Sequence, residues 1–237
     1  MCTVTYIPNR SGFTLTHNRD EAPSRSSVSI SQNDESPDGQ IVYPRDSKAG
    51  GTWFAVSESG KTVCLLNGAF VRHHHNPPYK RSRGLMVLDF FNYDDPDRFF
   101  SEYDLEGMEP FTLIFARPGV LTELRWDEHQ RHVTQFPPDQ PRFWCSSTLY
   151  PPEIQVLREK VFLDWLQKNP RKTPRDITRL HLNGSVNDPA NNFVMFRDRV
   201  RTVSITQVVH QKKYARMRFL ELLENNRDER LVSVRNR

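Results

Sequence analysis

Residues 1–21 read MCTVTYIPNRSGFTLTHNRDE. Two runs rich in β-branched and aromatic residues, Thr3–Ile7 and Phe13–His17, flank the turn-forming cluster Pro-Asn-Arg-Ser-Gly. The segment therefore predicts a β-hairpin at the head of the chain. A turn centred near Arg10 sets Cys2 opposite His17 or Asn18, with Arg19 and Asp20 following at once. A thiol then lies beside a guanidinium and a carboxylate. Cysteine is ordinarily a small buried hydrophobe. Chain ends are where domains fray, so position 2 is an unusual place for a residue used only in packing.

Two readings of Cys2 stand side by side: a packed first-strand residue, or a functional thiol. Initiator methionine is normally removed before a small second residue, and removal of Met1 leaves Cys2 with both a thiol and a free α-amino group. One residue then holds nucleophile and base. Arg19 favours the thiolate, and Asp20 can orient the amine. The alternatives are a loop ion pair between Arg19 and Asp20, worth little at a surface, and His17 as a conventional Cys–His partner.

Outward from the hairpin, Ser27–Ser31, Ile41–Tyr43, Thr52–Ser57 and Thr62–Asn67 read as strands. The period then changes. Leu85, Leu88 and Phe91 predict one helix, and Phe99 and Tyr103 a second that starts at Pro96. Strands return at Phe111–Ala116, Val120–Trp126 and His132–Phe136. PPEIQVLREKVFLDWLQKN is the strongest helix, with Ile154, Leu157, Val161 and Trp165 as its apolar stripe. Thr173–Leu182 follows, Thr173 capping and Pro174 in the first turn. Val200–Val209 and Tyr214–Leu223 read as a closing antiparallel pair, and about 225–237 as a solvated charged tail. Strands, helices, strands, helices, strands in that order predict an α+β fold of antiparallel sheets covered by helices. With no repeat and no linker, residues 1–237 read as one domain.

The formal charge is +4, with acidic and basic residues interspersed, so no nucleic-acid footprint is expected. Cys2, Cys64 and Cys145 are an odd set without metal-ligand spacing, and Cys64 and Cys145 read as packing residues. His73-His74-His75 reads as an exposed loop rather than a metal site, because consecutive side chains diverge. Gly50-Gly51-Thr52 lacks the lysine of a phosphate loop and reads as a turn that lets backbone approach the site. No apolar run nears the ~18 residues of a membrane span, and no secretory signal pattern opens the chain. A reducing, cytoplasmic setting is expected. Oligomeric state is left open.

Three further blocks add to the hairpin: YPRDSKAGGTWFAVSESGKTVCLLNG, then RSRG, and more weakly FWCSSTLYPPEIQVLREKVFLDWL with RTVSITQV. With them the sequence resembles the NRDE family, also called the transport and Golgi organisation protein 2 family. That family is similar to cysteine N-terminal nucleophile hydrolases such as choloylglycine hydrolases and penicillin V acylases. The strong part covers about residues 1–90. The resemblance implies a four-layer αββα sandwich. It implies Cys2 as nucleophile, Arg19 and Asp20 beside it, Asn67 as an oxyanion donor and Arg201 as a late site arginine. Asn18, Trp53 and Ser147 are the implied substrate contacts, Ser147 standing where relatives carry the longer asparagine. From the residues alone, Asn67 before Gly68 is also turn chemistry, and Arg201 is also a solvated strand residue. Asn-Arg-Asp-Glu occurs at Asn18–Glu21 and again at Asn226–Glu229, so the tetrapeptide carries the resemblance only together with its surroundings.

The implied activity is hydrolysis, or acyl transfer, on a small-molecule amide or acyl substrate with a C–N bond other than a peptide bond. No cofactor or metal is required. The resemblance also implies an alternative, a carrier of haem or lipid built on the same fold, with haem as ligand. No Cys-x-x-Cys-His attachment motif is present.

Overall fold

The structure, a computed structural model, describes residues 2–26 and 29–235. Met1 and the first two residues of the strand expected at Ser27–Ser31, Ser27 and Val28, fall outside those residues. In chain order the strands are β1 (Cys2–Asn9), β2 (Gly12–Glu21), β3 (Ile30–Asn33), β4 (Ile41–Pro44), β5 (Phe54–Ser57) and β6 (Thr62–Asn67). Helices α1 (Arg83–Asp89) and α2 (Pro96–Glu102) come next, followed by β7 (Phe111–Arg117), β8 (Val120–Trp126), β9 (Arg131–Phe136) and β10 (Arg142–Cys145). Helices α3 (Pro152–Lys168) and α4 (Pro174–Asn183) precede β11 (Arg201–His210), β12 (Tyr214–Glu221) and β13 (Arg227–Ser233).

The strands form two antiparallel sheets. One has six strands in the order β10-β1-β2-β11-β12-β13, the other seven in the order β3 to β9. Side-chain alternation assigns the faces. From β1, Cys2, Val4 and Tyr6 enter the core between the sheets, where they meet Phe54, Val56, Cys64 and Leu66. Ile7 faces the other way, onto Phe162, Ile177 and Leu180 of α3 and α4. Val63 and Leu65 of β6 face Met86, Phe90 and Phe99 of the α1–α2 layer. The result is the αββα sandwich that the resemblance implies. Each fully buried aromatic or aliphatic side chain contributes about 1.5–3 kcal/mol, and Phe90 adds an edge contact with Phe99 and a tilted one with Phe115, centroids 4.9 and 5.4 Å apart.

Three expectations are corrected. The hairpin turns on Arg10-Ser11, so Asn9 pairs with Gly12 and Cys2 falls opposite Arg19, not His17 or Asn18. The buried side of α3 runs through Arg158 and Phe162, and Leu157 is 47% exposed. An arginine sits where the apolar pattern demanded a hydrophobe, which shifts the apparent stripe by one residue. The segment read as a charged tail contains β13, so the second Asn-Arg-Asp-Glu copy enters a β12–β13 hairpin at a sheet edge. Charged side chains on an edge strand discourage further pairing, and they also hide it from a pattern search.

The loop from β4 to β5 packs backbone to backbone against the start of α1. Thr52 N–H donates to Gly84 O at 2.9 Å. A Cβ at Gly51 would meet the Gly84 carbonyl carbon at 2.3 Å, with no flexible side chain to yield. Gly51→Ala is expected to lose about 1–3 kcal/mol, read from the urea midpoint. An unchanged midpoint would show that this junction tolerates separation.

Candidate functional site

The open end of the first hairpin builds one wall of a cavity of about 390 Å³. Cys2, Arg19, Trp53 and Asn67 line it together, with Glu21, Arg25, Asp46, Arg83 and Glu109. Cys2 and Arg19 are directly opposed across β1 and β2, so their side chains leave the same face of the sheet. Asn67 arrives from the other sheet, at the end of β6. Ser146 joins the two: its N–H donates to Cys2 O at 2.9 Å, and its hydroxyl donates to Asn67 O at 2.6 Å.

Arg19 is almost fully buried, and its partners are not those the sequence suggested. It donates to Asp46 Oδ2 at 2.6 Å and to the Arg25 carbonyl, and its guanidinium lies 4.0 Å above the Trp53 ring. Asp46 also accepts from Arg25 at 2.7 Å and from the amides of Lys48 and Ala49 at 3.0 Å. Burial raises the Asp46 carboxyl, but those amides and the two arginines outweigh it and hold the group below its ordinary value. Asp46 was missed as a site residue. Its signal was an Asp opening the loop Asp-Ser-Lys-Ala-Gly-Gly, where a carboxylate can receive the amides of its own turn.

The other expected residues lie elsewhere. Asn18 and Asp20 leave the opposite face of β2, toward α3 and α4. The Asn18 amide donates to His181 O and Phe193 O at 3.0 and 2.8 Å, so its Oδ1 accepts from His181 Nδ1 at 2.6 Å. Fixed in that tautomer, His181 Nε2 accepts from Thr5 at 2.7 Å, and burial holds the ring pKa down at about 3. Asn18 is thus a tether for α4 rather than a substrate contact. Asp20 is sealed from solvent and accepts from Thr202 Oγ1 at 2.6 Å and Tyr150 OH at 2.9 Å. It forms no ion pair with Arg19, and it is not the solvent-reachable surface group the sequence suggested. Ser147 donates to Val71 O at 3.3 Å, packed where Gly68 has no Cβ. Arg201 opens β11 opposite Glu21 and lies outside the cavity lining. His17 sits opposite Val4, 3.3 Å from Leu65 O, and burial holds it well below the usual histidine range.

Burial raises the Cys2 thiol, with Asp20 adding to the rise and Arg19 opposing it. Arg19 favours the thiolate as expected, but burial outweighs it, so the resting group is a thiol at neutral pH. Cys64 is pushed well up by burial, and Cys145 to about 12. Glu109 anchors the far wall, binding Arg83 at 2.8 Å and the rings of His73 and His75 at 3.1 Å each. Among the described residues, no cluster of three or more His, Cys, Asp or Glu side chains could hold a metal ion. No described helix is long and apolar enough to cross a membrane.

The two facing sheets between helix layers, with the first strand's cysteine at a cavity, define the N-terminal nucleophile hydrolase fold. The C. elegans orthologue of N-acylethanolamine-hydrolyzing acid amidase is similar, with a TM-score of 0.61 and 12% identity over 88% of this chain and 92% of that one. A cysteine-to-alanine mutant of the conjugated bile acid hydrolase of Clostridium perfringens aligns over 100% of this chain and 97% of its own, with a TM-score of 0.57 and 9% identity. No curated protein sequence matches significantly. The family model described as Transport and Golgi organisation 2 matches residues 1–169, and the chain belongs to that family.

Two outcomes follow from this geometry. Asp46→Asn leaves the buried Arg19 without its carboxylate, while Arg25 keeps Glu21 at 3.0 Å, and is expected to cost roughly 3–5 kcal/mol at neutral pH. Because the folded carboxyl lies below the ordinary Asp value of about 3.9, its contribution is complete above that pH and is lost as pH falls through the folded value. The gap between mutant and wild type in denaturant melts should therefore close below about pH 4. A gap that persists in acid would assign the loss to something other than the charge. In brief iodoacetamide treatment, peptide mapping should find Cys2 labelled before Cys64 and Cys145. Earlier labelling of either would argue against an accessible Cys2.

Proposed function

We propose that the chain is a cysteine-dependent hydrolase of small amide or acyl substrates, with Cys2 as nucleophile. The observation that carries this reading is the placement of the Cys2 thiol at the cavity, directly opposite Arg19 and linked through Ser146 to Asn67. A volume of about 390 Å³ suits a small molecule rather than a folded polypeptide. The fold it shares with an amidase and a bile acid hydrolase supports the same general kind of chemistry.

A thiol raised by burial needs a base, and the α-amine of Cys2, freed by loss of Met1, is the nearest one by covalent construction. Sulfur attacks the substrate carbonyl carbon while the thiol proton passes to the amine. The oxyanion accepts from the Asn67 amide, a donor of a type worth ~3 kcal/mol in the transition state. The C–N bond then breaks, and the leaving nitrogen takes the proton. Water attacks the thioester, the C–S bond breaks, the acid departs and the thiol is restored.

Haem carriage is the competing reading. Of the cavity's lining residues only Cys2 is a soft iron ligand, and burial favours its protonated form. The rings of His73 and His75 lie on Glu109. These residues fit iron ligation poorly.

The test is acylation by an activated amide or ester, followed by intact mass. Wild type should gain one acyl group and Cys2→Ala none, while Asn67→Ala should slow the reaction by about 10²–10³. An adduct that survives in Cys2→Ala would sink the reading. The mass should also show Met1 absent; an acylating protein that retains Met1 would remove the amine from the mechanism.

A further inference from the structure

Arg158 is fully buried in α3, and sequence patterning gave no reason to expect a charge there. Its direct hydrogen-bond acceptors are all neutral. The guanidinium donates to Thr3 Oγ1, to Asn191 O and, at 2.6 Å, to Asn192 O. It lies 4.0 Å over the Tyr150 ring and 5.0 Å over Phe193. Buried charges are normally paired. The carboxyl nearby is Asp20, reached through Tyr150, whose hydroxyl donates to Asp20 Oδ2 at 2.9 Å. Asp20 is buried too, and its second oxygen accepts from Thr202. Thr202 reaches it because β11 carries an irregularity between Thr202 and Ser204, which re-aims that side chain.

We propose that Arg158 is a positioning residue for the Cys2 site: lying over the ring of Tyr150, whose hydroxyl holds Asp20, it is the buried cation that favours the charged form of the Asp20 carboxyl, and it pins Thr3, the neighbour of Cys2. Its meaning for catalysis rests on the reading of Cys2 given above; its effect on Asp20 does not. The titratable groups facing Asp20 are Tyr150 and Arg158 from the α3 side, Cys145 from β10 and Cys2 from β1 with its α-amine once Met1 is lost. His181 of α4 is the next ring, held neutral on Asn18. Burial raises Asp20 and prevails; Thr202, Arg158 and Tyr150 pull it back only in part. Taking away the Arg158 charge leaves burial less opposed, so the carboxyl must titrate at higher pH.

The experiment follows the Asp20 carboxyl by ¹³C NMR against pH, with the signal assigned by its loss in Asp20→Asn. Arg158→Met and Arg158→Gln should move the midpoint upward, and Arg158→Lys should restore most of it. Tyr150→Phe keeps the ring and removes only the hydroxyl, so it should fold and also move the midpoint upward. If Arg158 serves only packing, Arg158→Met lowers the melting temperature and leaves the Asp20 midpoint where it was. That result overturns the proposal. Should neither neutral Arg158 variant fold, an unmoved midpoint in Tyr150→Phe overturns it as well. Failure of wild-type Cys2 to acylate would sink the nucleophile reading and leave these titrations standing.

Discussion

The backbone pairing of Cys2 with Arg19 is the constraint on which the site depends. It places a thiol and a guanidinium on one face of one sheet at the end of the first hairpin. Arg19 cannot then face solvent, so it stacks on Trp53 and binds Asp46, both from the β4–β5 region of the other sheet. Satisfying one buried cation thereby docks the loop that closes the cavity. Ser146 completes the join by bonding the Cys2 carbonyl and the Asn67 carbonyl from a single residue. The two sheets meet through polar contacts here and through a close-packed apolar core between them.

Strand β2 carries two environments because its side chains alternate. One face holds Arg19 and Glu21 beside the cavity. The other holds Asn18 and Asp20 inside a sealed network with His181, Thr202, Tyr150 and, through its ring, Arg158. Adjacent residues in Asn-Arg-Asp-Glu thus answer to different chemistry. The cavity face is where a ligand can reach. The helix face holds its polar groups behind the cavity, where water does not screen them.

The second copy of the tetrapeptide makes the same point by contrast. Asn226–Glu229 also enters a strand, but at an exposed edge. There Asp228 accepts from Ile30 N–H at 2.9 Å and Glu229 from Arg218 at 2.7 Å. The words are identical and the surroundings are not. Local sequence sets what a residue can do; the burial around it sets what it does.

The sequence by itself determined the α+β order, both helix pairs, most strand positions and the first hairpin, because hydrophobic period and turn residues are local properties. It also brought forward Cys2, Arg19, Trp53 and Asn67, the four expected residues that share the cavity. Only the tertiary structure decided the hairpin register, since a one-residue change in the turn is invisible in composition yet exchanges every pair. Only it separated Asp20 from Arg19, placed Arg158 inside α3, and chose Asp46 as the arginine partner from 27 residues away. The buried face of α3 escaped the pattern because a guanidinium can be buried when carbonyls, a hydroxyl and aromatic faces surround it, and no local rule counts groups that the chain has yet to bring together.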